Sequence, residues 1–76
     1  MMLEDFNIDQ QLMFKGKSLK GINRITEHGN TWRIKNKFVK GHFPWVKEDS
    51  ILLESLKDRT WCRWFRLLSD EDFELI

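Results

Sequence analysis

The sequence has no tyrosine, one cysteine, one proline and four glycines among its 76 residues. With Cys62 alone no internal disulfide can form. A small chain with a single thiol fits a reducing compartment, so the expectation is a cytoplasmic protein. With one proline, no Gly- or Ser-rich stretch and no repeat, no linker is visible, and residues 1–76 are expected to form a single small domain. No apolar run exceeds three residues, as in Ile51-Leu52-Leu53, against the roughly 20 needed to cross a bilayer. Met1-Met2-Leu3-Glu4-Asp5-Phe6 is acidic and lacks the basic-then-apolar order of a signal peptide, so no membrane partner is expected.

The chemistry-bearing residues are equally sparse. His28, His42 and Cys62 have no zinc-site spacing, so no metal is expected. No serine stands in a nucleophile elbow, and Cys62, between Trp61 and Arg63, reads as a small apolar residue rather than a nucleophile. Gly16-Lys17-Ser18 matches the last residues of a phosphate loop, but Gln11 stands where that loop needs its first glycine. The tripeptide therefore reads as a turn. No cofactor and no catalytic residue is expected, and the chain reads as a non-enzymatic binding protein.

What is abundant is aromatic area and unevenly placed charge. Four Trp and six Phe at roughly 150–250 Å² each can fill a small core. The net charge of +1 hides a basic middle between acidic ends: residues 15–47 hold nine Lys or Arg against Glu27 alone. Either the thirds neutralise one another in the fold, or a basic face is offered to a polyanion.

The fold expected is α+β: a small antiparallel sheet built on a 21–39 β-hairpin and packed against a C-terminal helix or helices. Gly21 to Thr26 and Thr31 to Val39 are rich in β-branched and aromatic residues, and His28-Gly29 supplies the reversal. That register puts Ile25, Trp32 and Ile34 inward and Arg24, Arg33 and Lys35 outward. Leu12 and Phe14 suggest a short strand before the hairpin, and residues 3–12 an irregular segment or one helical turn. A helix is predicted near 49–58, from the capping residues Asp49 and Ser50 and the stripe Leu52, Leu53, Leu56. Residues 60–68 fit a helix through Trp61, Trp64, Phe65 and Leu68. They also fit a strand in which only Arg63 is out of place; the period favours the helix. Ser69 to Asp72 resemble a cap for a last helical turn.

Gly29, Trp32 and the run Gly41-x-Phe43-Pro44-x-Val46 resemble the second half of an SH3-like barrel, where a tryptophan strand precedes Gly-x-Phe-Pro and a closing strand. The resemblance spans residues 29–46 and implies that architecture. It does not carry over Pro-rich peptide binding, because the acidic, Tyr-rich motif of peptide-binding SH3 domains is missing.

Two functions are expected to compete. In one, Lys20, Arg24, Arg33, Lys35, Lys37, Lys40 and Trp45 form a nucleic-acid-binding face, the cations on phosphates and the indole on a base. In the other, the chain is a small adaptor or inhibitor, of the type found on mobile elements. It would then contact a partner protein through Trp61, Arg63, Trp64 and Arg66, residue types common at interface hot spots.

Overall fold

The computed structural model describes residues 2–76. A short 3-10 helix, Leu3–Asp5, leads into β1 (Gln11–Gly16), then α1 (Leu19–His28), β2 (Thr31–Phe38), β3 (Ser50–Ser55), β4 (Cys62–Arg66) and β5 (Phe73–Leu75). All strand pairs are antiparallel, in the order β4-β3-β2-β1-β5. The fold is thus α+β, with one helix against a five-stranded sheet. No helix among the described residues is long and apolar enough to cross a membrane.

Period-two alternation sorts the side chains. Leu12 and Phe14, Trp32 and Ile34, Leu53 and Ile51, Phe65, and Leu75 and Phe73 lie on the inner face. The sheet curls around them so far that Phe14 on β1 meets Phe65 on β4, with ring centroids 4.9 Å apart. Trp32 is fully enclosed. Its ring meets Phe73 edge-on at 5.5 Å, and its indole N–H donates to the Gly29 carbonyl at 3.0 Å. A bulge at Ile34/Asn36 lets β2 bend, as an extra residue in one strand does.

The segment expected to be the first hairpin arm is instead α1. Ser18 caps it, accepting from the Gly21 N–H at 2.9 Å, and Gly29 ends it at φ 85°, a conformation that costs glycine little. The residues facing the sheet are Gly21, Arg24, Ile25 and His28, spaced i, i+3, i+4 and i+7. Only Ile25 is apolar, while Leu19 and Ile22 point to solvent. The sequence therefore showed no apolar stripe there. Glycine serves close approach here: a Cβ on Gly21 would stand 1.9 Å from the Asp72 carbonyl oxygen.

The predicted C-terminal helices are also strands. Residues 49–58 read as helical because Ile51 and Leu53 go to the core while Leu52 is partly covered on the other face. Their apolar run comes from burial on both sides, not from a helical stripe. In residues 60–68 the four-residue spacing is coincidental, since Trp64 and Leu68 are exposed and Phe65 and Leu67 buried. Arg63, the misfit in the strand reading, lies inward with its guanidinium 4.0 Å above the Phe73 ring and its Nη2 3.4 Å from Asp70. Residues 69–76 supply β5. Buried Asp70 organises the approach, accepting from the N–H groups of Asp72 at 3.0 Å and Phe73 at 2.8 Å.

The SH3-like resemblance is overturned by the same topology. The sheet is open, with β4 and β5 as opposite, unpaired edges, and Gly41 to Val46 form a loop between β2 and β3, not a closing strand. The strand expected before the hairpin (β1) and the helical turn near the N-terminus are present. Trp32→Ala is expected to lower stability by about 3–5 kcal/mol, measured by urea titration. An unchanged midpoint would contradict its role as the central core residue.

Candidate functional site

The outer face of the sheet carries an aromatic ridge. Phe38 ends β2 and Trp64 lies on β4; their rings meet edge-on at 4.9 Å. The ridge continues through Phe43, 5.7 Å from Phe38, to Trp45, which stacks on Phe43 at 4.8 Å and 7°. His42 sets its edge against both Phe38 and Phe43. Trp45 remains 68% exposed and Trp64 43%.

The loop that raises Trp45 is internally tied. Gly41 donates to the Val46 carbonyl at 2.8 Å, Val46 to Phe43 at 3.0 Å and His42 to Val39 at 3.0 Å. Lys40 N–H donates to Asp49 Oδ1 at 2.9 Å, and Val46 is buried beneath. An indole so exposed, on a loop whose backbone is satisfied internally, contributes little to folding. Between Trp45 and Trp64 lies a cleft of about 430 Å³, walled by Val46, Lys47, Glu48, Ser50, Arg66 and Ser69. That volume is within the roughly 300–1,000 Å³ of ligand pockets. Arg66 Nε stands 3.8 Å from Glu48 Oε1, and Ser69 hydrogen-bonds the same carboxylate.

The cleft adjoins an open backbone edge. The bonds Ser55 N–H to Trp61 O at 3.0 Å and Leu67 N–H to Asp49 O at 3.1 Å fix the alternation along β3 and β4. Cys62, Trp64 and Arg66 therefore turn their backbone groups away from β3. Arg66 N–H is taken by Asp70 Oδ2 at 3.3 Å; Cys62 and Trp64 lie along the free edge.

The cations expected to form one basic face do not share one. Lys20 and Arg24 are on α1. Arg33 is on the outer face of β2, directly opposite Glu54, and bonds both Glu54 and Asp9. Lys35 is 4.0 Å from Glu54. Lys37 turns to the Leu3 and Phe6 carbonyls, the latter at 2.7 Å, and Lys40 lies on the exposed loop. Because the hairpin that would have aligned them is a helix and a strand, the single basic surface is lost. Its seventh member, Trp45, joins the aromatic ridge. The second expected set also divides, since neighbours along a strand face opposite ways. Trp64 and Arg66 line the cleft, while Trp61 and Arg63 line a separate hollow beside α1. Sequence reading undervalued Phe38, at the end of β2, and Phe43 and His42; for the last two the available signal was Pro44, which excludes their loop from a central strand.

Glu54 is the electrostatic centre of the outer face. Its burial works to raise its pKa, but hydrogen bonds from Arg33 and Arg59, with their charges, outweigh that and hold the carboxyl below its ordinary value. A hydrogen bond from Ser18 lowers Asp72 likewise, and Thr60 lowers Asp58.

The chain matches no family model, no curated protein and no solved structure.

Each of those three carboxyls binds its proton more weakly in the folded than in the unfolded chain. The stability this gives is complete above the ordinary carboxylate range, about pH 4, and is lost as pH falls through the lower folded values. Thermal unfolding followed by circular dichroism should show the melting temperature falling on acidification below about pH 4. Glu54→Gln should lower the neutral value and flatten the fall; an unaltered profile would remove Glu54 from this account.

Proposed function

We propose that the chain is a protein-binding module, an adaptor or inhibitor in its mode of action. It takes an extended segment of a partner along β4, with an apolar side chain of that segment in the cleft between Trp45 and Trp64. The observation that carries this reading is the ridge of Phe38, Phe43, Trp45 and Trp64, which joins two strands to an internally bonded loop and leaves both tryptophans exposed. Aromatic side chains offer large, stiff contact area and recur as interface anchors. Two further features support it. The free edge of β4 offers backbone hydrogen bonds to an added strand, and Arg66 and Glu48 at the cleft supply polar specificity beside an apolar floor.

Binding of a polyanion through a continuous basic face has less support, because Arg33, Lys35 and Arg24 are matched by Glu54, Asp9 and Glu27 and the remaining cations lie on other elements. A stack of Trp45 on a nucleobase stays physically reasonable, so the test includes it.

Linear peptides selected on the folded protein from a random display library should bind at the ridge, shifting the Trp45 and Trp64 indole resonances. Trp64→Ala should weaken them by about 2 kcal/mol, roughly 30-fold; Trp45→Ala should weaken them without changing the melting temperature, and Arg33→Gln should leave them bound. The proposal fails if selected peptides bind equally well to both tryptophan variants. It fails equally if the preferred ligand is DNA or RNA, held with a log–log salt slope of roughly −4 to −5.

A further inference from the structure

On the other side of the molecule, α1, the start of β4 and the turn before β5 enclose a hollow of about 180 Å³ lined by Lys20, Arg24, Trp61, Arg63 and Asp72. It is smaller than pockets that hold drug-sized molecules and suits a single charged group. Three of its five walls are cationic. Lys20 and Arg24 reach it from one helix face, four residues apart, and the Arg24 guanidinium sits 5.0 Å from the Trp61 ring centre.

The carboxylates nearby leave this positive charge incompletely answered. Asp72 Oδ1 accepts from Ser18 Oγ at 2.6 Å, and its Oδ2 is 3.9 Å from Arg63 Nη2. Asp70 is occupied by the backbone N–H groups of Arg66, Asp72 and Phe73, with Arg63 Nη2 at 3.4 Å. Glu27 meets Arg24 at 3.7 Å from a largely exposed position. Lys20 has no carboxylate within ion-pair distance among the described residues. Arg63 Nη1 is enclosed and has no hydrogen-bond acceptor among the described residues. Burial of a guanidinium with an unpaired nitrogen disfavours its charged form and pushes the Arg63 pKa down.

We infer that this hollow is a binding site for a phosphate group, carried as the free anion or as a small phosphomonoester. Arg63 is its buried guanidinium, Lys20 and Arg24 are the cations that face it from α1, and the Trp61 indole is one wall. Guanidinium and ammonium groups match phosphate oxygens with charge-assisted hydrogen bonds. The site is separate from the aromatic ridge, because Trp61 and Arg63 face away from Trp64 and Arg66.

The test is a titration of the full chain with inorganic phosphate and, separately, with O-phosphoserine, followed by amide and indole resonances. Sodium chloride at matched ionic strength is the control. The expected result is saturable movement of the Trp61 indole and of the Lys20 and Arg24 amides with phosphate and not with chloride. Tighter binding of O-phosphoserine would mark a monoester as the ligand, and equal or tighter binding of inorganic phosphate the free anion. Lys20→Gln and Arg24→Gln, both at solvent-accessible positions, should each weaken binding roughly 10- to 100-fold while the rest of the spectrum stays that of the folded protein. Shifts that do not saturate, that chloride reproduces, or that survive the double Lys20→Gln, Arg24→Gln variant would overturn the assignment.

Discussion

The structure depends on the enclosure of Trp32. Its indole fills the concavity of the curled sheet, and its one polar atom is satisfied by the carbonyl of Gly29, the residue that ends α1. The contact joins the helix end to the strand that follows it. Ser55, opposite Trp32 in the β2–β3 register, adds a second tie. Its hydroxyl hydrogen-bonds the His28 carbonyl and accepts from the Asp58 N–H at 3.0 Å. One buried and one partly buried hydrogen bond thus fix where the helix stops over the core, where an unmade bond would be costly. That placement brings Arg24 and His28 over Trp61, and so builds the cationic hollow.

The charge division along the sequence is resolved largely inside the molecule, and unevenly. On the outer sheet face, Glu54 draws Arg33, Lys35 and Arg59. At the gap between β4 and β5, Asp70 and Asp72 draw Arg63. Of the nine bases in residues 15–47, Lys15, Arg33 and Lys35 pair with carboxylates of the acidic ends among the described residues. Around α1 the matching is incomplete: among the described residues Lys20 has no carboxylate within ion-pair distance and one Arg63 nitrogen has no acceptor. Along the ridge the surface is aromatic rather than charged.

How much of this was legible follows from which residues carried the structure. Trp32 and Ile34 were readable as core because the first half of β2 alternates, ahead of its bulge, and Pro44 marked Trp45 as lying outside a central strand. The helix was hidden because its inner face consists of Gly21, Arg24, Ile25 and His28, where one apolar residue in four gives no periodic signal. β4 was misread because its exposed Trp64 and Leu68 joined Trp61 and Phe65 in a helical spacing, while the inward Arg63 looked like an error in the strand pattern. Its partners Asp70 and Phe73 lie seven and ten residues further on, and only the fold brings them together. The two expected contact sets are each divided between faces for a related reason. Each drew neighbours in sequence, whereas the strand period sends Trp61 and Arg63 to Lys20 and Arg24, and Trp64 and Arg66 to Trp45.

The position of Phe73 in the chain sets the order of events during synthesis. This ring, buried beside Phe14 and Trp32, arrives on the last strand and seats it against the first. While it is still within the ribosome, β1 keeps a bare edge and the tryptophan lacks one of its walls. The nascent chain must therefore hold an unfinished, greasy sheet face until Phe73 has emerged, and the edge of β1 is then covered across the greatest sequence separation in the sheet.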